Sequence, residues 1–167
     1  MKKLFTRGLV LSLLLCVLAL SFLLVSCKDD QTPDITTDRI VVIVSEQNVE
    51  LFYSDSSSEK LKDIYNGTFQ EQYLGKLINR LDDDNVLSSK STSGAYGAYY
   101  IKIGLLQPTL NGYLYFYTNL EQYQEEPSEW STTVSYLDKE YKGANLGAES
   151  LPLEDGAIYV ILLVNGD

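Results

Sequence analysis

Apolar positions change their period several times along the chain, and each change predicts a different element. Ile40–Ser45, IVVIVS, is β-branched and apolar up to its closing serine, which predicts a first strand buried on both faces. Val49–Tyr53, VELFY, is expected to pair with that strand or to extend it, Ser54–Glu59 is a polar loop, and Leu61–Tyr65 alternates weakly enough to predict only a short strand. The period then lengthens: Tyr73, Leu74, Leu77, Ile78 and Leu81 fall on one face at helical spacing, predicting a single helix packed on the sheet. Thr68-Phe69-Gln70-Glu71 has the form of a capping box for its start, and Asp82-Asp83-Asp84-Asn85 ends it, with negative charge at the unfavourable end of the macrodipole.

Downstream the period falls to two. In Tyr99–Ile103, Tyr99, Ile101 and Ile103 are expected on one face and Tyr100 and Lys102 on the other, with Gly94, Gly97 and Gly104 allowing bends on either side. Tyr113–Tyr117 alternates cleanly, Leu114 and Phe116 toward the core and Tyr113, Tyr115 and Tyr117 away from it. These two tyrosine-rich strands, joined by a turn, are expected to form one small sheet, answered after the Leu151–Gly156 turn by a final buried strand, Ala157–Val164. Between them Gln122–Gly147 reads as a long polar connection carrying Glu125-Glu126-Pro127, the single Trp130 and a candidate strand at Thr132–Tyr136. Connections of that length in a small domain are often functional when ordered.

The N-terminus changes the picture of where the domain works. Lys2, Lys3 and Arg7 precede an almost unbroken apolar run, Gly8–Val25, and Leu24-Val25-Ser26-Cys27 follows. This is the pattern of a lipoprotein signal covering residues 1–26, cut ahead of a lipidated Cys27. An uncleaved apolar anchor is the alternative, since roughly 18 residues just span a bilayer; either tethers the domain outside the cytoplasm, at the cell membrane or outer membrane. Residues 27–39 read as a flexible tether ahead of a single domain at 40–167. The Lys28-Asp29-Asp30 step after the cysteine resembles the surface-export signal of some bacterial lipoproteins, although acidic tethers also serve as plain spacers.

Processing also shifts the charge. Loss of three of the 13 basic residues and none of the 23 acidic ones leaves a net charge of −13, which repels phosphate backbones, so nucleic acid is not an expected partner. Cys16 leaves with the signal and Cys27 is acylated, so about 140 residues are expected to fold by packing alone, without disulfide or metal. With no histidine and no free thiol, Ser-His and Cys-His triads and His-bearing zinc sites are unavailable, and no carboxylate pair stands out for glycoside hydrolysis. No catalytic residue, cofactor or metal site is therefore expected. The Asp82–Asn85 run could attract a hard cation but lacks the alternate spacing and central glycine of an EF-hand loop, and also reads as a solvated helix-ending turn.

The chemistry that remains is aromatic. Tyr113, Tyr115 and Tyr117, with Trp130 and Tyr96, offer flat apolar surface with polar tips, suited to a planar ligand or a partner's peptide; cross-strand tyrosines also stabilise sheets without any ligand, and both readings stay open.

The run Gly94-Ala95-Tyr96-Gly97-Ala98-Tyr99-Tyr100-Ile101-Lys102-Ile103-Gly104-Leu105, then Tyr113–Asn119, a glycine near Gly147 and Leu153-Glu154-Asp155-Gly156 resemble the transcobalamin-like C-terminal domain family in its bacterial lipoprotein form. The resemblance runs over about Ile40–Val164 and includes Gly67-Thr68 where the family introduces its helix; it departs at Leu114, where the family often has tryptophan, and at Ala157, where aspartate commonly follows the turn glycine. It implies a domain lying over one face of a corrin ring, and here the ring would be held by its edges because histidine is absent. The fold class expected is α+β, a small mixed or antiparallel sheet with one packed helix, β-grasp-like. The function expected is a lipid-anchored extracytoplasmic binding module, membrane-attached through Cys27, for a small molecule, glycan or envelope protein. A structural or assembly protein of the envelope and a cobalamin or corrinoid binder are the alternatives.

Overall fold

The computed structural model describes residues 36–94 and 97–165; the residues expected to form the signal (1–26), Cys27, the expected tether up to residue 35 and Tyr96 lie outside the described residues. The elements are β1 (Arg39–Ser45), β2 (Asn48–Ser54), β3 (Lys60–Thr68), α1 (Leu74–Asp83), β4 (Ser89–Gly94), β5 (Gly97–Ile103), β6 (Tyr113–Thr118), β7 (Thr133–Tyr136), β8 (Lys139–Gly143) and β9 (Ile158–Val164). Seven strands form one antiparallel sheet in the order β3-β2-β1-β9-β6-β8-β7, while β4 and β5 pair as a separate ribbon. Among the described residues one α-helix accompanies the sheet, so the α+β class is as the pattern predicts. The reason Ile40–Val44 of β1 is apolar at every position is its place between β2 and β9, with Ile40, Val42 and Val44 buried on the helix side and Val41 on the other. Arg39, expected in the tether, instead opens β1 and is buried, its guanidinium gripped by Asp38 (Nε to Oδ1 2.9 Å).

α1 buries Leu74, Leu77, Ile78 and Leu81 against the sheet, which stabilises the pair by roughly 1.5–3 kcal/mol for each side chain removed from water. The capping-box expectation fails. Thr68 is used up as the last residue of β3, paired with Asn48, and no side chain caps the helix, whose N-cap is Tyr73. A β-like bridge does that work: the Leu74 N–H donates to the Leu151 carbonyl (2.8 Å) and the Leu153 N–H to the Gln72 carbonyl (2.9 Å). Glu71 turns to Arg80, 2.9 Å from its Nε.

Two further expectations are corrected. Tyr99–Ile103 and Tyr113–Tyr117 do not pair: β5 pairs with β4, and β6 with β9 and β8. A register shift opposite Ile101 also breaks the alternation of β5, so that Tyr100 and Ile103 are both buried and Tyr99 is exposed. Gln122–Gly147 is not a bare connection either, because it holds the β7–β8 hairpin, closed at Tyr136 and Lys139 by a two-residue turn. Leu137 (φ 48°) and Asp138 (φ 58°) both take left-handed backbone there, the geometry of a tight hairpin turn without the glycine or asparagine that usually marks it.

The sheet is strongly rolled. Phe52 of β2 and Tyr136 of β7 stand five strand positions apart, roughly 24 Å in a flat sheet with strands about 4.8 Å apart. Their ring centroids are 6.4 Å apart, and Arg39 Nη1 of β1 reaches the Ser135 carbonyl of β7 at 3.3 Å. Edge strand β7 therefore folds back over β1 and β2, enclosing a second core of Val41, Phe52, Tyr117, Tyr136, Tyr141 and Val160.

Candidate ligand-binding cleft

The β4–β5 ribbon stands beside the sheet on a fixed base. Tyr100 Oη lies 2.8 Å from Asn79 Oδ1 and 3.0 Å from the Gly75 carbonyl, so its one proton is shared between two acceptors on α1. Burial, then the Glu149 and Asp82 carboxylates, push this hydroxyl well above the ordinary phenol range, which keeps it a donor. At the foot of the ribbon the Leu105 N–H donates to Tyr53 Oη at 3.0 Å. The chain passes so close that a Cβ at Gly104, already at φ +56°, would sit 2.0 Å from that oxygen.

Between the ribbon and the sheet lies an open cleft of about 510 Å³. Tyr99 and Tyr100 form one wall, Leu114 and Phe116 of β6 the floor, Leu146 the far side, and Glu125 the charged corner. The Tyr115 hydroxyl donates to Glu125 Oε1. Burial first, then the bond to Glu125 and its charge, push that hydroxyl up to about 12. Glu125 also borders a second recess, of about 320 Å³, with Glu121, Glu126 and Lys142, so this end of the cleft is acidic.

The floor of the cleft is an unpaired strand edge. The Leu163 N–H donates to the Asp38 carbonyl on the β1 side (2.7 Å), and the Val44 N–H to the Ala157 carbonyl (2.8 Å). By the alternation of an antiparallel ladder, Leu114, opposite Leu163, then directs its N–H and C=O away from β9. Phe116 confirms the sense, because its carbonyl accepts the Ala144 N–H (2.8 Å) on the opposite side from β9. Along β6, strand β8 pairs only with Tyr117 and Thr118, and the chain leaves after Ala144 toward a bridge with Gln124. Among the described residues the Leu114 N–H and C=O and the Phe116 N–H have no backbone partner.

The residues expected to bind ligand are distributed unevenly. Tyr115 reaches the cleft, and Tyr113, 50% exposed, packs edge-on to it with centroids 5.9 Å apart. Tyr117, only 3% exposed, is part of the second core, so its place is inside the roll and not on an open contact face. Trp130 is 81% exposed and stands outside the cleft lining. Tyr96 and Cys27 lie outside the described residues. Leu114 and Phe116 do face the helix-side core as expected. Tyr99, Leu146 and Glu125 were missed; Glu125 alone carried a signal, in the Glu125-Glu126-Pro127 step of a long polar segment.

Among the described residues no group of three or more His, Cys, Asp or Glu is placed to hold a metal ion, and no helix is long and apolar enough to cross a membrane. In the Asp82–Asn85 run, Asp82 accepts the Ser89 hydroxyl at 2.9 Å, and Asn85 takes left-handed backbone (φ 58°) past the helix end. Comparison with family models, with curated proteins and with solved structures finds no match.

Proposed function

We propose that the protein is a lipid-anchored extracytoplasmic binding module that takes its ligand in the cleft between β5 and β6. One observation supports it most: an aromatic wall held rigidly by Tyr100 faces an unpaired strand edge across about 510 Å³, with a carboxylate at one corner. The nearest titratable pair, Tyr115 with Glu125, is hydrogen-bonded to itself, which supports recognition without catalysis. Anchoring through Cys27 rests on the basic, apolar and Leu24–Cys27 pattern of the leader. The transcobalamin-like, β-grasp-like relationship belongs to the same proposal, supported by a helix packed over a sheet in which the first and last described strands, β1 and β9, lie side by side. Its departures at Leu114 and Ala157 put a corrinoid behind other ligands.

A second reading, a structural or assembly protein of the envelope, draws support from Tyr117, Tyr136 and Tyr141 being built into the rolled interior. One experiment separates the two. Thermal shifts of the full chain are measured with soluble glycans, short peptides and cyanocobalamin, for the wild type and for Ala98→Trp, which fills the cleft from an exposed position. A shift present in the first and lost in the second, at equal melting temperature without ligand, supports the cleft; no probe depending on position 98 favours the assembly role. Release of Cys27→Ser from the membrane fraction tests the anchor.

A further inference from the structure

We infer that the ligand of this cleft is an extended peptide segment of a partner protein, alternately apolar and basic, which adds to the free edge of β6. The inference rests on the cleft reading above and names its occupant. Strand β8 pairs with Thr118 and Tyr117, and Ala144 then donates to Phe116; beyond that point no described residue pairs with the backbone of Leu114, and the lane beside it opens into the cleft. The groups left facing it, at Leu114 and Phe116, recur every second residue, about 6.8 Å apart, the repeat at which an extended backbone presents its own donors and acceptors. Tyr113–Tyr115, beyond the Ala144 contact, offers roughly 10 Å of edge, room for about three residues of an added strand.

The two faces of that lane differ, and the difference sets the sequence of the guest. Leu114 and Phe116 belong to the helix-side core, with Tyr100 beside them. Tyr115 and its Glu125 partner lie on the opposite face, next to Glu121 and Glu126. A strand paired with β6 would therefore turn alternate side chains toward apolar surface and toward carboxylates. The outer edge of the sheet is defended differently: β3 carries Lys60, Lys62 and Asp63 and has two register shifts against β2, the usual devices against edge pairing. The Leu114–Phe116 edge carries no charge and no bulge in its pairing with β9.

The test uses the full-length chain and an N-acetylated, C-amidated heptapeptide of alternating Val and Lys. The expected result is binding with a Kd below about 1 mM, and slowing of amide exchange at Leu114 and Phe116 by at least about tenfold. Methylating the amide nitrogens along one edge of the peptide should weaken binding by about tenfold or more, since it removes the backbone donors and adds bulk on that edge while leaving the side chains unchanged. Replacing its lysines by glutamate, or Glu125→Gln in the protein, should weaken it several-fold at low salt. Equal binding of the N-methylated peptide, protection elsewhere, a second copy of this chain protecting the edge instead, or no protection at about 1 mM peptide would each overturn the inference. If the peptide fails while a glycan or small molecule still gives a shift lost in Ala98→Trp, only the peptide inference falls. If no probe depends on position 98, the cleft reading falls with it.

Discussion

The Tyr115 hydroxyl donates to Glu125 beside Gly143, where a Cβ would come within 2.7 Å of the Glu125 carboxylate and 2.9 Å of the Tyr115 ring. Glycine at this position of β8 thus leaves room for the ring and for the carboxylate that accepts its hydroxyl. Gly143→Ala should displace Glu125, cost about 1–3 kcal/mol of stability in urea unfolding, and lower the titration of Tyr115 from about 12 toward the ordinary phenol value. An unchanged ultraviolet tyrosinate titration would show that the contact is not sustained.

Alkaline pH should unfold the protein through its buried phenols. Burial raises Tyr53, Tyr100, Tyr115, Tyr117, Tyr136, Tyr141 and Tyr159 above their ordinary value. A group raised in the folded state holds its proton more tightly there, so its stabilisation is complete below the unfolded pKa of about 10 and is lost as pH climbs through the folded value. Stability should therefore be flat toward pH 9 and fall steeply above about pH 10, with tyrosinate absorbance and loss of circular dichroism rising together. Full ionisation near pH 10 with the fold intact would contradict the burial of these rings.

The β7–β8 turn should be improvable. Leu137 and Asp138 hold left-handed backbone at φ 48° and 58° with ordinary side chains, and Leu137 is exposed. The double change Leu137→Asn with Asp138→Gly supplies residues that tolerate this geometry and should stabilise by about 1 kcal/mol, read as a higher denaturant midpoint at unchanged slope. A lower midpoint would mean that the turn has another geometry.

That same turn explains what the sequence hid. β1, β9 and α1 are legible because burial on two faces or one imposes a long, regular apolar pattern, as in Ile40–Val44 and Leu74–Leu81. The β7–β8 hairpin was only half legible, since β8 has one apolar core residue, Tyr141, and its turn has neither glycine nor asparagine. Thr68–Glu71 reads as a cap only until Thr68 is claimed by pairing with Asn48, a contact 20 residues away. The tyrosine stripe of β6 was legible as alternation. Its split into exposed Tyr113, half-buried Tyr115 and buried Tyr117 follows from the roll of the sheet, which local pattern does not carry. The cleft depends on where β8 stops, a matter of pairing between distant segments.

The most direct measurement is residue-resolved amide hydrogen exchange of the ligand-free chain across Tyr113–Thr118. Tyr115 and Tyr117, bonded to β9, and Thr118, paired with Lys142, should be protected, whereas Leu114 and Phe116 should exchange about 100-fold faster or more. Uniform protection along the strand would mean that the lane beside β6 is already filled, and would contradict the open edge on which the proposed binding role depends.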